Sequence, residues 1–178
     1  MKHSILLILT AILSACSLDM QNKTDFSSQT VTDGSPVSYM TEQEKELHSV
    51  LTGTSFKLKR DNNTLVVFLS GKDLFLQGSS KFSETLEKTL QKIAPVLNRY
   101  DKTRISIAGY VNHGSPFADR AIAEKQAQEI SNILKQHASI EPARFWVEGF
   151  NPETPIQTNE DYITSNHIKI TLTPTFLQ

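Results

Sequence analysis

Residues 104–148 read RISIAGYVNHGSPFADRAIAEKQAQEISNILKQHASIEPARFWVE, and this stretch decides the fold. Arg104-Ile-Ser-Ile-Ala108 alternates polar with apolar and stops at Gly109, the pattern of a strand. From about Phe117 to His137 the apolar residues recur at helical spacing, with Ala123, Ala127, Ile130, Ile133 and Leu134 facing inward. Glu141-Pro142 breaks the chain before a second strand, Arg144-Phe-Trp-Val-Glu148. Trp146 stands between Phe145 and Val147, so packing in a core or an interface outranks a ligand platform.

Upstream, Ser83 caps a helix running to about Tyr100, with Leu86, Leu90, Ile93 and Leu97 on one face. Pro95 inside it is expected to kink the helix or shorten its regular part. Before it, Phe56-Lys-Leu58-Lys alternates, Asp61-Asn62-Asn63 turns, and Thr64-Leu-Val-Val-Phe-Leu69 returns as the second half of a β-hairpin. Gly71-Lys72-Asp73 makes another turn, followed by a short strand, Leu74-Phe75-Leu76. Thr41-Glu-Gln-Glu44 is a capping box ahead of Leu47, Val50 and Leu51, with Gly53 as the stop, and predicts a short helix within 40–55. Downstream, Pro152 and Pro155 mark a loop, a weak pattern allows a third helix at 158–165, and Ile168-Lys-Ile-Thr-Leu172 is the last strand. Strands alternating with helices after a leading hairpin predict an α+β two-layer sandwich, a mixed β-sheet with helices packed on one face.

The N-terminus has a different character. Met1-Lys2-His3 precedes a short apolar run, Ile5 to Leu13, and then Ser14-Ala15-Cys16. A charged start, a short apolar run and small residues before a cut site make a secretory signal. The run is too short to span a bilayer, which needs about 20 apolar residues. Leu13-Ser14-Ala15-Cys16 resembles the lipobox of bacterial lipoproteins. That resemblance implies cleavage after residue 15 and a diacylglycerol and N-acyl chain on Cys16. Ser17, where an Asp would favour the inner membrane, implies an outer-membrane destination facing the periplasm. Residues 16–39 are rich in Ser, Thr, Asp and Gln and read as a disordered tether. It spans roughly 25–30 Å as a coil and about 75–80 Å fully extended. The expected organisation is a signal at 1–15, the lipidated tether at 16–39, a short helix at 40–55 and one domain at 56–178.

Composition narrows the chemistry. The chain carries 18 Lys and Arg against 19 Asp and Glu, and losing Lys2 leaves 17 against 19. Without a basic run, nothing favours nucleic acid. One cysteine excludes an internal disulfide and a thiolate metal cluster. The five histidines show no metal-ligand spacing and read as scattered surface residues. No nucleophile elbow, Walker loop or dinucleotide fingerprint occurs. The carboxylate pairs Glu42/Glu44 and Glu84/Glu87 read as solvated helix faces. No enzyme and no resident cofactor are expected.

The order of elements over about residues 56–173 resembles the OmpA-like C-terminal domain, also found in the peptidoglycan-associated lipoprotein. Leu65-Val-Val-Phe-Leu-Ser-Gly71, Asp73-Leu-Phe75 and Ser79-Ser80 resemble its opening strand and the segment after it. Arg104-Ile-Ser-Ile-Ala-Gly109 is similar to the strand that ends in the family's Gly-His-Thr-Asp. Ile122-Ala-Glu-Lys-Gln-Ala127 resembles its Leu-Ser-x-x-Arg-Ala helix, and Arg144-Phe-Trp-Val-Glu-Gly149 its Arg-Ile-x-x-x-Gly segment. Asn166-His167-Ile-Lys-Ile170 is similar to the closing Arg-Arg-Val-Glu-Ile strand.

In the family an Asp and an Arg grip the diaminopimelate of the peptidoglycan stem peptide. Here the Asp position falls on Asn112, the Arg position on Gln126 and the closing Arg pair on Asn166 and His167. Charged hydrogen bonds contribute about 1.5–3 kcal/mol each. Losing two removes roughly 3–6 kcal/mol, or about 10²–10⁴-fold in affinity. The resemblance therefore implies a degenerate site that binds peptidoglycan weakly or not at all. A lipid anchor with an emptied site is similar to the small OmpA-like lipoproteins of type IVB (Dot/Icm) secretion systems. The implied partners are the outer membrane, through lipid, and other secretion-system core proteins. The rival expectation is a lipoprotein tethering the outer membrane to the cell wall.

Overall fold

The computed structural model describes residues 35–70, 74, 81–150 and 166–176. Their elements run α1 (Pro36–Leu51), β1 (Lys57–Asp61), β2 (Thr64–Ser70), α2 (Glu84–Arg99), β3 (Thr103–Tyr110), α3 (Pro116–His137), a 3-10 turn at Pro142–Arg144, β4 (Phe145–Phe150) and β5 (His167–Pro174). The expected strand at 74–76 (Leu74 apart), the helix at 158–165, Cys16 and most of the tether lie outside the described residues.

The five strands form one mixed sheet in the order β1-β2-β5-β3-β4. The hairpin puts Asp61 opposite Thr64, and Asn62 turns it in the left-handed region, which Asn tolerates better than most residues. β5 inserts antiparallel between β2 and β3, with Ile170 facing Val67 on one side and Ile107 on the other. β3 and β4 are parallel, joined by α3 as a crossover. Alternate residues, Leu65, Ile105, Ile107, Ile168, Ile170 and Leu172, bury against the helices. This is the expected α+β sandwich with helices on one face.

Two glycines set how closely α3 lies on the sheet. A Cβ at Gly109 would stand 2.2 Å from the Ala123 carbonyl oxygen, and one at Gly149 would stand 2.4 Å from the Glu124 nitrogen. Both obstacles are helix backbone, so only glycine allows this approach. Arg144 then locks the far end. Its guanidinium donates to the carbonyl oxygens of Leu97 (2.9 Å), Tyr100 (2.8 Å) and Thr103 (2.8 Å) and to Thr103 Oγ1 (3.0 Å). Leu97 belongs to the last turn of α2, so Arg144 satisfies carbonyls that the helix leaves open.

Three features differ from the sequence reading. The first helix starts at Pro36, not at Thr41; Thr41 Oγ1 donates inside the helix to the Val37 carbonyl at 2.7 Å. Residues 36–39, assigned to the tether, are helical because Tyr39 and Met40 have a core to enter and Pro36 suits a first helical position. The helix is no separate unit: Tyr39, Met40, Leu47 and Leu51 join the same core as the sheet. Pro95 does not shorten α2, which continues to Arg99, with Ile93, Ala94, Val96 and Leu97 around it all buried. Trp146 faces away from the helices and is 58% exposed, whereas Phe145 and Val147 pack on the core, so of its two expected roles core packing is excluded.

Candidate functional site

The site is built where β3 ends and β5 begins. Antiparallel pairing sets Tyr110 opposite His167, so the chain leaving β3 at Asn112 passes beside Asn166. The Asn112 amide N–H donates to Asn166 Oδ1 at 3.0 Å. That bond fixes which way the Asn166 amide points, and its Nδ2 then lies 3.0 Å from His113 Nε2. An amide nitrogen only donates, so Nε2 accepts and the His113 proton belongs on Nδ1. Nδ1 faces Asp119 Oδ1 at 3.6 Å.

Asp119 anchors the loop. It sits in the first turn of α3 and is 1% exposed. Its Oδ2 accepts from the backbone N–H groups of His113 (2.9 Å) and Ser115 (3.1 Å). Charged acceptors make strong hydrogen bonds, and a carboxylate at a helix start also meets the positive end of the helix dipole. The carboxylate therefore shapes the Asn112–Ser115 loop and presents little of itself to solvent.

The other expected positions do not converge on that loop. His167 is 5% exposed, which corrects the expectation of a surface histidine. Its ring stacks on Tyr110 with centroids 4.3 Å apart, and Tyr110 stacks in turn on Phe150 at 5.2 Å. Burial pushes the Tyr110 hydroxyl pKa up, with the nearby Glu148 charge adding to it. A ring enclosed in this way cannot reach outward in place of an arginine. Gln126 is buried on the inward stripe of α3, and among the described residues no hydrogen bond joins it to Asn112 or Asn166. The structure thus brings Asn112 and Asn166 together, adds His113 and Asp119, and leaves Gln126 and His167 in the packing.

The sequence reading assigned neither Asp119 nor His113 to this loop. The signal for Asp119 was present: residues 119, 123, 126, 127, 130 and 134 make one buried stripe along α3, so an acid four residues before Ala123 belongs to the inward face. The loop offers neutral amides, one imidazole and a carboxylate occupied by backbone donors. It suits weak polar recognition, and among the described residues of this loop there is no unshared carboxylate and no guanidinium to clamp a zwitterion. Among the described residues no group of three or more His, Cys, Asp or Glu could hold a metal ion, and no helix is long and apolar enough to cross a membrane.

The model of the OmpA family matches residues 74–166. Among curated proteins, the Probable lipoprotein YiaD of Escherichia coli (strain K12) is 24% identical over 140 residues, covering 76% of this chain and 64% of the relative. The chain thus spans a little under two thirds of that relative's length. Among solved structures, a MotB-like protein of Desulfovibrio vulgaris matches with a TM-score of 0.62 at 16% identity, covering 78% of this chain and 95% of the other. The cell wall anchor of the T6SS from Pseudomonas aeruginosa matches with a TM-score of 0.59 at 19% identity, covering 74% and 99%. At these identities the structural likenesses establish the fold.

Proposed function

The chain belongs to the OmpA family, and from that premise we propose that it is a non-catalytic outer-membrane lipoprotein whose domain holds a protein partner. In this reading it is a structural subunit of an envelope-spanning secretion complex of the type IVB, Dot/Icm-like kind. Its anchor is acylated Cys16, a reading supported by the signal-like residues before it and by similarity to a protein named as a lipoprotein.

The observation that carries the scaffold reading is the charge state of the site. The positions that should clamp the stem peptide are Asn112, which is neutral, and Gln126, which is neutral and buried. The nearest carboxylate among the described residues, Asp119, is already held by two backbone N–H groups. Withdrawing it to bind an ammonium would leave those donors unpaired, at about 1–3 kcal/mol each. The full chain, purified in detergent, is expected to show little retention on isolated sacculi. Purification from native membranes is expected to recover it within a large multi-protein assembly.

One observation favours a second reading, a tether from outer membrane to cell wall. His113 and Asp119 lie beside Asn112 and give the loop a polar, ionisable lining. Strong sacculus retention, competed away by a diaminopimelate-containing peptide, would establish that reading in place of the first.

A further inference from the structure

The loop after β3 is joined to the head of β5 through a single side-chain amide. Asn166 Oδ1 accepts from the Asn112 N–H at 3.0 Å, and Asn166 Nδ2 lies 3.0 Å from His113 Nε2. A backbone N–H needs an acceptor, so the oxygen faces Asn112 and the nitrogen is left for the ring. The set of bonds is complete only while Nε2 keeps its lone pair, with the imidazole neutral and its proton on Nδ1. Asp119 of α3 faces Nδ1, and among the described residues no other charged group pairs with this ring. Other ionisable groups at this end are turned elsewhere. His167, next along β5, stacks on Tyr110, Glu148 of β4 acts on the Tyr110 hydroxyl, and Arg120 of α3 is exposed.

A second proton on the ring upsets this arrangement on one side only. An imidazolium has an N–H on both nitrogens and accepts nothing. At Nδ1 the charge is favoured, since Asp119 Oδ1 lies 3.6 Å away. Asp119 Oδ2 meanwhile keeps the N–H groups of His113 and Ser115. At Nε2 two donors now meet. Asn166 relieves that clash by turning its amide over, but its nitrogen then faces the Asn112 N–H. One oxygen cannot serve both donors. The hydrogen bond from a charged donor is the stronger of the two, so the ring takes the oxygen. Asn112 is exposed, so water accepts its N–H and no buried group is stranded. We propose that His113, Asn166 and Asn112 form a proton-operated latch. With His113 neutral, the loop is pinned to β5 through the Asn112 N–H. With His113 charged, that pin is withdrawn and Asp119 alone fastens the loop, to α3. Histidine is the side chain that ordinarily changes charge between about pH 5 and 8, so mild acid works the latch. It acts under the scaffold and the tether readings alike.

The test is a pH titration of the full chain in detergent, labelled with nitrogen-15 and carbon-13 and followed by NMR. At neutral pH the ring nitrogen shifts of His113 should report the proton on Nδ1. On acidification the Asn112 amide proton should move upfield, and the Asn166 side-chain NH2 should shift, both with the midpoint of the His113 ring. Hydrogen-exchange protection of the Asn112 amide should fall by about tenfold across the same midpoint, as the loss of one hydrogen bond implies. His113→Gln keeps an acceptor and carries no titrating proton. Its side chain is more than half exposed, so the thermal midpoint should not change. In that variant the Asn112 and Asn166 signals should stay at their neutral-pH positions through the same range. Asn166→Asp supplies two oxygens, one for each donor. There the Asn112 bond should survive protonation of His113, and the His113 midpoint should rise because a second carboxylate faces the ring. A His113 titration that leaves the Asn112 amide unmoved overturns the proposal, as does a proton found on Nε2 at neutral pH. A response that persists in His113→Gln would assign the effect to His167 or Asp119 and overturn it equally. Loss of the Asn112 bond in Asn166→Asp at the His113 midpoint would show that competition for one oxygen is not the cause.

Discussion

At the scale of single residues, the described fold carries two extremes of tolerance. Gly109 faces the Ala123 carbonyl oxygen so closely that any side chain must push α3 off the sheet. Overpacking of a core costs about 1–3 kcal/mol, and backbone obstacles lie at the upper end because they cannot rotate away. Gly109→Ala is therefore expected to lower the chemical denaturation midpoint by an amount equivalent to about 3 kcal/mol; a midpoint within error of the wild type would refute the close-approach account. Gln43 is the opposite case. It is fully buried in α1, and neither its Nε2 nor its Oε1 has a hydrogen-bond partner among the described residues. An unpaired buried polar group costs about 1–3 kcal/mol, and Met has nearly the same shape without the amide. Gln43→Met should raise stability by about 1 kcal/mol or more in the same titration. The periodicity of α1 made Leu47, Val50 and Leu51 legible, but a glutamine on the same stripe looked like any polar helix residue. Only the packed neighbours reveal that it is enclosed.

At the scale of elements, α1 is fastened to the C-terminal end of α2 by ring and charge contacts. The Tyr39 hydroxyl accepts from the Lys102 N–H at 2.9 Å and donates to Asp101 at 3.4 Å, while its ring meets Tyr100 and Phe176 edge-on. Glu46 accepts from the Tyr100 hydroxyl at 2.9 Å and pairs with Arg99, and Glu44 pairs with Arg60 of β1. Burial raises the Tyr39 pKa to about 12, and burial followed by the Glu46 hydrogen bond raises that of Tyr100 further. Unfolded tyrosine titrates near 10. Between pH 10 and 12 the unfolded chain therefore loses protons that the folded one keeps, so stability falls as pH rises. Alkaline titration followed by circular dichroism is expected to show a decline beginning near pH 10, and Tyr39→Phe should flatten it while losing some stability at neutral pH. A slope unchanged in that variant would mean that Tyr39 is not the titrating strap. The hairpin, α2, α3 and the closing strands were readable from alternation and helical spacing. The start of α1 was not, because a capping box at Thr41 outcompetes Ser35-Pro36 when only local signals are weighed. Tertiary burial of Tyr39 and Met40 decides it.

At the scale of the whole molecule, the two ends of the sheet face different tasks. α1 begins beside Asp101 and Lys102, at the start of β3, whereas Asn112 and Asn166 lie past the end of β3. The eight residues of β3 separate these ends by about 25 Å. The start of α1 and the candidate loop are thus at opposite poles, an arrangement invisible in the sequence, where only their order is written. If Cys16 carries lipid, Cys16→Ala should move the chain from the membrane to the soluble fraction without changing its thermal midpoint, since the described fold begins at Ser35. One acyl chain alone holds a membrane only marginally, at about 10⁴ M⁻¹, so full retention in the wild type would require more than one. Acylation would also block the only native thiol, which allows a polarity test. Separate Val37→Cys and Asn112→Cys variants, each labelled with a fluorophore, are placed in vesicles containing brominated lipid. Val37 is 54% exposed at the start of α1, and Asn112 is exposed at the loop. If the chain before Ser35 carries the lipid, quenching should be stronger at Val37, beside the point where that chain joins α1, than at Asn112 at the opposite pole. Equal quenching would mean that the tether lets the domain tumble freely. Stronger quenching at Asn112 would place the loop against the membrane and remove the basis for a partner reaching it from the periplasm.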